Sequence, residues 1–171
     1  MTNATPNVAE ETLAALMCAT AAKAAPYLER LEAEDFPRWQ HQRIFQALAH
    51  VTFPDDHSGF GSVHTQVNDH FLQTGAYRDH DDGLRACLAD LVGHHGHVEN
   101  LEWLTSRLIE GRYREEFAAH GAHCQQHALT APLEEMDSFF KQSISDLRAL
   151  RLRITRTTHT NTIAAAKGAA A

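Results

Sequence analysis

Asp35-Phe36-Pro37-Arg38-Trp39-Gln40-His41-Gln42-Arg43-Ile44-Phe45-Gln46-Ala47-Leu48 decides how this chain is read. The stretch predicts a helix that begins near Pro37, a residue tolerated in a first helical turn. Its apolar face is His41, Ile44, Phe45 and Leu48. Upstream, Val8-Ala9-Glu10-Glu11-Thr12-Leu13-Ala14-Ala15-Leu16-Met17 also reads as a helix. Asn7 and Glu10 form a capping pair, and Val8, Leu13, Leu16 and Met17 recur at helical spacing. A helix and a loop's length of chain separates the two stretches.

Helical periodicity continues downstream. Pro54 to Gly61 reads as a loop, with Asp55-Asp56 among its breakers. Val63, Val67, Phe71 and Leu72 mark another helix, stopped at Gly75. Leu84, Cys87, Leu88 and Leu91 mark the next, broken by Gly93-His94-His95-Gly96-His97. No proline occurs from Val98 to Leu129, where Leu101, Leu104, Leu108 and Ile109 open a long helix. Thr130-Ala131-Pro132 ends it, and Met136, Phe140, Ile144, Leu147, Leu150 and Ile154 follow at near-heptad spacing. Two long helices joined by a short turn make a helical hairpin. No segment alternates like a strand, and there is no internal repeat.

The expected fold is all-α, a small helical bundle followed by a long antiparallel helical hairpin. The expected boundaries are a flexible N-terminus at 1–6, the bundle at 7–95, the hairpin at 97–154 and a flexible Ala-rich tail at 155–171. A hairpin cannot bury both faces on itself. Leu101, Leu104, Leu108, Phe140, Ile144 and Leu147 are therefore the expected dimer or partner interface.

Composition narrows the function classes. The chain has 171 residues, 43% of them hydrophobic, which suits one folded core. Its net charge of −7 argues against a body that wraps nucleic acid. The charge is uneven, because residues 147–171 contain no acid but carry Arg148, Arg151, Arg153, Arg156 and Lys167. Those arginines are the candidates for a nucleic-acid contact through phosphate attraction, expected to be weak or indirect. Arg148, Arg151 and Arg153 also suit the C-terminal end of a helix dipole. Cys18, Cys87 and Cys124 are an odd set without CxxC spacing, the pattern of a reduced cytoplasmic protein. Residues 1–7 lack the features of a signal peptide, and no apolar run is long enough to span a membrane.

The two opening stretches together resemble the start of the N-terminal domain of DnaB-type replicative helicases. That family opens with "A-E-x-x-(V/L)-L-(G/A)-x-(L/M)-(L/M)" and continues with "x-(E/D)-D-F-x-x-x-x-H-x-x-I-F-x-A-(I/L)". Leu13, Leu16, Phe36, His41, Ile44, Phe45 and Leu48 occupy the motif core here. Thr65 to Gly75, Leu84 to Leu91 and Val98-Glu99-Asn100 are similar to later family segments in the same order. The resemblance covers roughly residues 7 to 150. It implies a non-catalytic assembly domain in which hairpins pair between subunits, forming a collar above a motor ring. The implied partners are a second copy of the chain, the replicative helicase, its primase and its loader.

The chain also departs from the family. The Gly-Gly pair before the family's fourth helix is replaced by Asp82-Gly83. No G-x-x-x-x-G-K-(S/T) occurs, so no loop is built to cradle nucleotide phosphates for hydrolysis. The chain is therefore expected to be non-enzymatic and without a cofactor, as part of a longer helicase or as a free-standing domain. A primase-type helicase-binding domain shares the fold and is a rival reading.

The histidines supply a reading from another class. There are 13, and His120, His123, Cys124 and His127 share one helix face. Zinc or nickel takes imidazole and thiolate ligands. A His-rich metal-binding helical protein is thus the alternative function, although one helix cannot easily wrap four ligands around one ion. His41 reads as a helix-face or core histidine, Cys87 as a core residue, and Trp39 and Trp103 as packing or interface residues.

Overall fold

A computed structural model describes residues 5–56, 61–94 and 96–168, and the side chains of 8–56, 61–78, 83–94 and 96–154. The chain is all-α, with no strand among the described residues. In order it forms α1 (Thr5–Met17), α2 (Ala21–Leu28), a 3₁₀ turn (Ala33–Asp35), α3 (Trp39–Leu48), α4 (Ser62–Thr74), α5 (Ala76–Gly93), a second 3₁₀ turn (Val98–Asn100), α6 (Leu101–Thr130) and α7 (Leu133–Gly168).

Two compact units divide this order, one ending at Leu108 and the other beginning at Ile109. In the first unit α1 is the central element. Ala9, Leu13, Ala14, Ala15 and Leu16 are all buried, so α1 is covered on most of its circumference, as a core helix is. It packs against α3, α5 and the second 3₁₀ turn. The small residues at 9, 14 and 15 allow close approach. Gly96 lies so near Ala14 and Ala15 that a Cβ there would overlap the α1 backbone.

The motif stretch is built from local caps as well as apolar spacing. Asp35 is buried, and its Oδ2 accepts from the Glu32 backbone N–H at 2.8 Å, closing a capping box around the first 3₁₀ turn. Phe36 is fully buried and meets Phe45 with ring centroids 5.1 Å apart. Gln42 Nε2 donates to the Phe36 carbonyl at 2.8 Å and fixes the entry to α3. Further on, the Gln66 amide clamps Thr52, accepting from its N–H at 2.8 Å and donating to its carbonyl at 2.9 Å. Gly75 ends α4 with φ +70, a left-handed conformation that L side chains rarely adopt.

Several boundaries differ from the sequence-based expectation. The first unit reaches Leu108 rather than residue 95, because α6 opens with buried leucines. The helix expected near Pro37 begins at Trp39, and α5 extends back to Ala76. The stretch expected to be a flexible tail continues α7 to Gly168. No proline interrupts 155–168, although this stretch holds five threonines against three alanines and so has only modest intrinsic helix propensity. The N-terminal boundary also moves, since α1 starts at Thr5, and residues 1–4 lie outside the described residues.

Candidate interaction surface

The second unit is made by the outer part of α6 and by α7. Ala131-Pro132 separates them, since the residue before a proline disfavours the α conformation. Glu134 and Glu135 then stand in the first turn of α7, where negative charge complements the helix dipole. Surface pairs hold the outer faces, with Arg114 Nη2 donating to Glu110 at 2.6 Å and Lys141 Nζ to Asp137 at 2.6 Å.

The histidine face of α6 meets an aromatic ring of α7. His127 stacks on Phe139 with centroids 4.6 Å apart, and His120 and His123 flank the same ring at 6.3 and 6.2 Å. Imidazole rings thereby form one wall of the hairpin near its turn. Among the described residues no group of three or more His, Cys, Asp or Glu side chains is arranged to hold a metal ion. Cys124 and His127 instead line a shallow, largely apolar basin with Leu133, Met136, Phe139 and Phe140, of about 350 Å³.

The hairpin leaves large apolar side chains in solvent. Leu129 is 82% exposed, Leu133 80% and Phe140 56%. Leu133 and Phe140 are seven residues apart on α7 and so lie along one face. Contiguous apolar patches of this kind mark interaction sites more often than isolated surface leucines do.

The expected interface residues therefore separate into two sets. Phe140 is exposed, and Ile144 and Leu147 are half-buried on α7. Leu101, Leu104 and Leu108 are fully buried within the monomer and are not available to a partner, a correction to the expectation. Sequence periodicity identified their apolar face, but the chain itself covers that face. The motif-core residues Leu13, Leu16, Phe36, His41, Ile44 and Leu48 are buried, and Phe45 is half-buried. Among the candidate phosphate contacts, Arg148 and Arg151 are exposed and Arg153 is half-buried. The Arg156 side chain lies outside the described side chains. Trp39 and Trp103 are both exposed beyond a third of their surface, so neither is a core residue.

Inside the first unit, His41 is fully buried and neither ring nitrogen has a hydrogen-bond partner among the described residues. Its Nε2 stands 3.8 Å from Glu10 Oε1, too far for a hydrogen bond. Burial lowers its pKa; Glu10 opposes that shift, and Arg38 reinforces it. Arg38 Nη1 donates to the same Glu10 oxygen at 3.3 Å. Glu10, Arg38, Cys87 and Asp90 line a narrow cleft of about 170 Å³. Burial raises the Cys87 pKa to about 11, with Glu10 and Asp90 adding to the shift and Arg38 opposing it. Cys87 is thus a protonated thiol near neutral pH, poorly suited to act as a nucleophile.

Sequence reasoning missed the role of Phe139 and the capping role of Asp35. The Asp-Phe pair preceding an apolar helix was the available signal for Asp35. Phe139 gave none, because its histidine neighbours lie across the α6–α7 turn. No helix among the described residues is long and apolar enough to cross a membrane. No family model, no curated protein and no solved structure matches this chain.

Proposed function

We propose that this chain is a protein-interaction and assembly module of DNA replication, similar in role to the N-terminal domain of DnaB-type helicases. The observation that carries the reading is the exposed apolar face of α7, centred on Phe140, on a hairpin of two long helices. What supports the replication role is the resemblance of Val8–Met17 and Asp35–Leu48 to the opening segments of that helicase family.

In this reading the α7 faces of two copies pair. Residues 133–146 of α7 carry Glu134, Glu135, Asp137 and Asp146 against the single base Lys141, and residues 147–168 carry Arg148, Arg151, Arg153, Arg156 and Lys167 with no acid. An antiparallel pairing of two such helices sets the acidic half of each beside the basic half of the other, giving register to an apolar contact. The remaining surface then receives a primase, a helicase loader or the helicase itself.

The test is direct binding of the purified 171-residue chain to purified primase, helicase loader and replicative helicase from the same cells, by interferometry. The reading predicts saturable binding to at least one of the three. Failure to bind any of them would remove the replication role.

A further inference from the structure

A second site lies in the first unit, apart from the hairpin face. Arg43 and Gln46 on α3, His50 just beyond it, and His70 and Thr74 on α4 line a cleft of about 290 Å³, completed by the start of α5 at Ala76. Among the described residues no carboxylate lines it, although the chain as a whole carries a net charge of −7. His50 and His70 stack face to face, with centroids 4.7 Å apart and planes 7° from parallel. The stack brings two imidazoles from different elements to the same opening as the Arg43 guanidinium.

We propose that this cleft binds the phosphate group of a small anionic ligand. The guanidinium presents a planar fork of donors that matches two phosphate oxygens. The Gln46 amide and the imidazole N–H groups add further donors. Ala76, the first residue of α5, closes the cleft, while the Arg78 N–H of the same turn is already engaged, donating to the Gly75 carbonyl at 2.9 Å. Thr74 is already engaged, its Oγ1 donating to the His70 carbonyl at 2.8 Å, so it shapes the wall rather than supplying a proton.

The phosphate has two sources that the geometry treats alike, inorganic phosphate and a mononucleotide. A neighbouring groove shares Arg43 and Gln46 and continues along α3 to Trp39, which is 41% exposed. Trp39, Arg43, Gln46 and His50 follow at spacings of four, three and four, and so form one stripe. A base could extend along that stripe towards the indole.

The experiment is a titration of the full chain followed through its backbone amide NMR signals, once with inorganic phosphate and once with adenosine monophosphate. With inorganic phosphate the proposal predicts saturable shifts confined to residues 43–50 and 70–76. Arg43→Gln and His50→Gln, both at exposed positions, should each weaken binding about tenfold or more. The two variants should keep the wild-type melting temperature in the absence of ligand, which separates lost binding from lost folding. Tighter binding of the mononucleotide, with additional shifts at Trp39, identifies a nucleotide as the source. Equal affinity identifies the phosphate alone. Absence of saturable shifts with either probe, or binding that both variants leave unchanged, would overturn the proposal.

Discussion

Arg30 Nη1 donates to both carboxylate oxygens of Glu102, at 3.0 Å each, and so ties the end of α2 to the start of α6 across 72 residues of sequence. The Arg30 Nη2 adds a long contact of 3.5 Å to Ser106 Oγ. Both partners are mostly buried, with side chains 19% and 26% exposed, so this pair is shielded from solvent more than an ordinary surface bridge. Glu102→Gln keeps the shape and removes the charge, and is expected to cost about 1–3 kcal/mol of stability. Urea denaturation followed by circular dichroism checks it, and an unchanged midpoint would show that the bridge contributes nothing.

Gly96 offers a sharper test of the packing. A methyl group at this position would overlap the backbone of Ala14 and Ala15, which is core helix and cannot move like a flexible side chain. Gly96→Ala is expected to destabilise the first unit by about 1–3 kcal/mol or more, through forced separation from α1. The corresponding change at Gly93, where a Cβ meets open space, should stay within about 0.5 kcal/mol or stabilise α5. Equal effects from the two substitutions in a side-by-side denaturation experiment would contradict the close approach.

His41 should make stability depend on pH. Its folded pKa is lowered from the ordinary 6.5, so the unfolded chain binds this proton more readily than the folded one. The sign follows: stability is complete above pH 6.5 and is lost as pH falls towards the folded value. The contribution from one such group has a slope of at most about 1.4 kcal/mol per pH unit. His41→Leu should therefore flatten the decline in melting temperature between neutral and mildly acidic pH. A variant whose decline matches the wild type would show that His41 is not buried in its neutral form.

Gly75 marked the end of α4 because a left-handed residue after an apolar run has few other uses. The face of His41, Ile44 and Leu48 was legible from spacing, and these residues are buried. Leu101, Leu104 and Leu108 show the limit of the same signal. Spacing reveals that a face is apolar, but whether the chain or a partner covers it is a tertiary fact. The α7 extension to Gly168 is not legible, because the five threonines between 155 and 162 have weak helix propensity and no apolar stripe marks a face. The cleft beside Arg43 was invisible, since His50 and His70 come together only when α3 packs against α4.

The central claim is that the exposed face of α7 pairs two copies of this chain, and sedimentation equilibrium tests it most directly. The account predicts a concentration-dependent species of twice the 19.0 kDa chain mass. It also predicts that Phe140→Asp, at a position already 56% exposed, abolishes that species while leaving the helical circular dichroism spectrum intact. A chain that sediments as a monomer at every concentration, or a dimer indifferent to Phe140→Asp, would contradict the account.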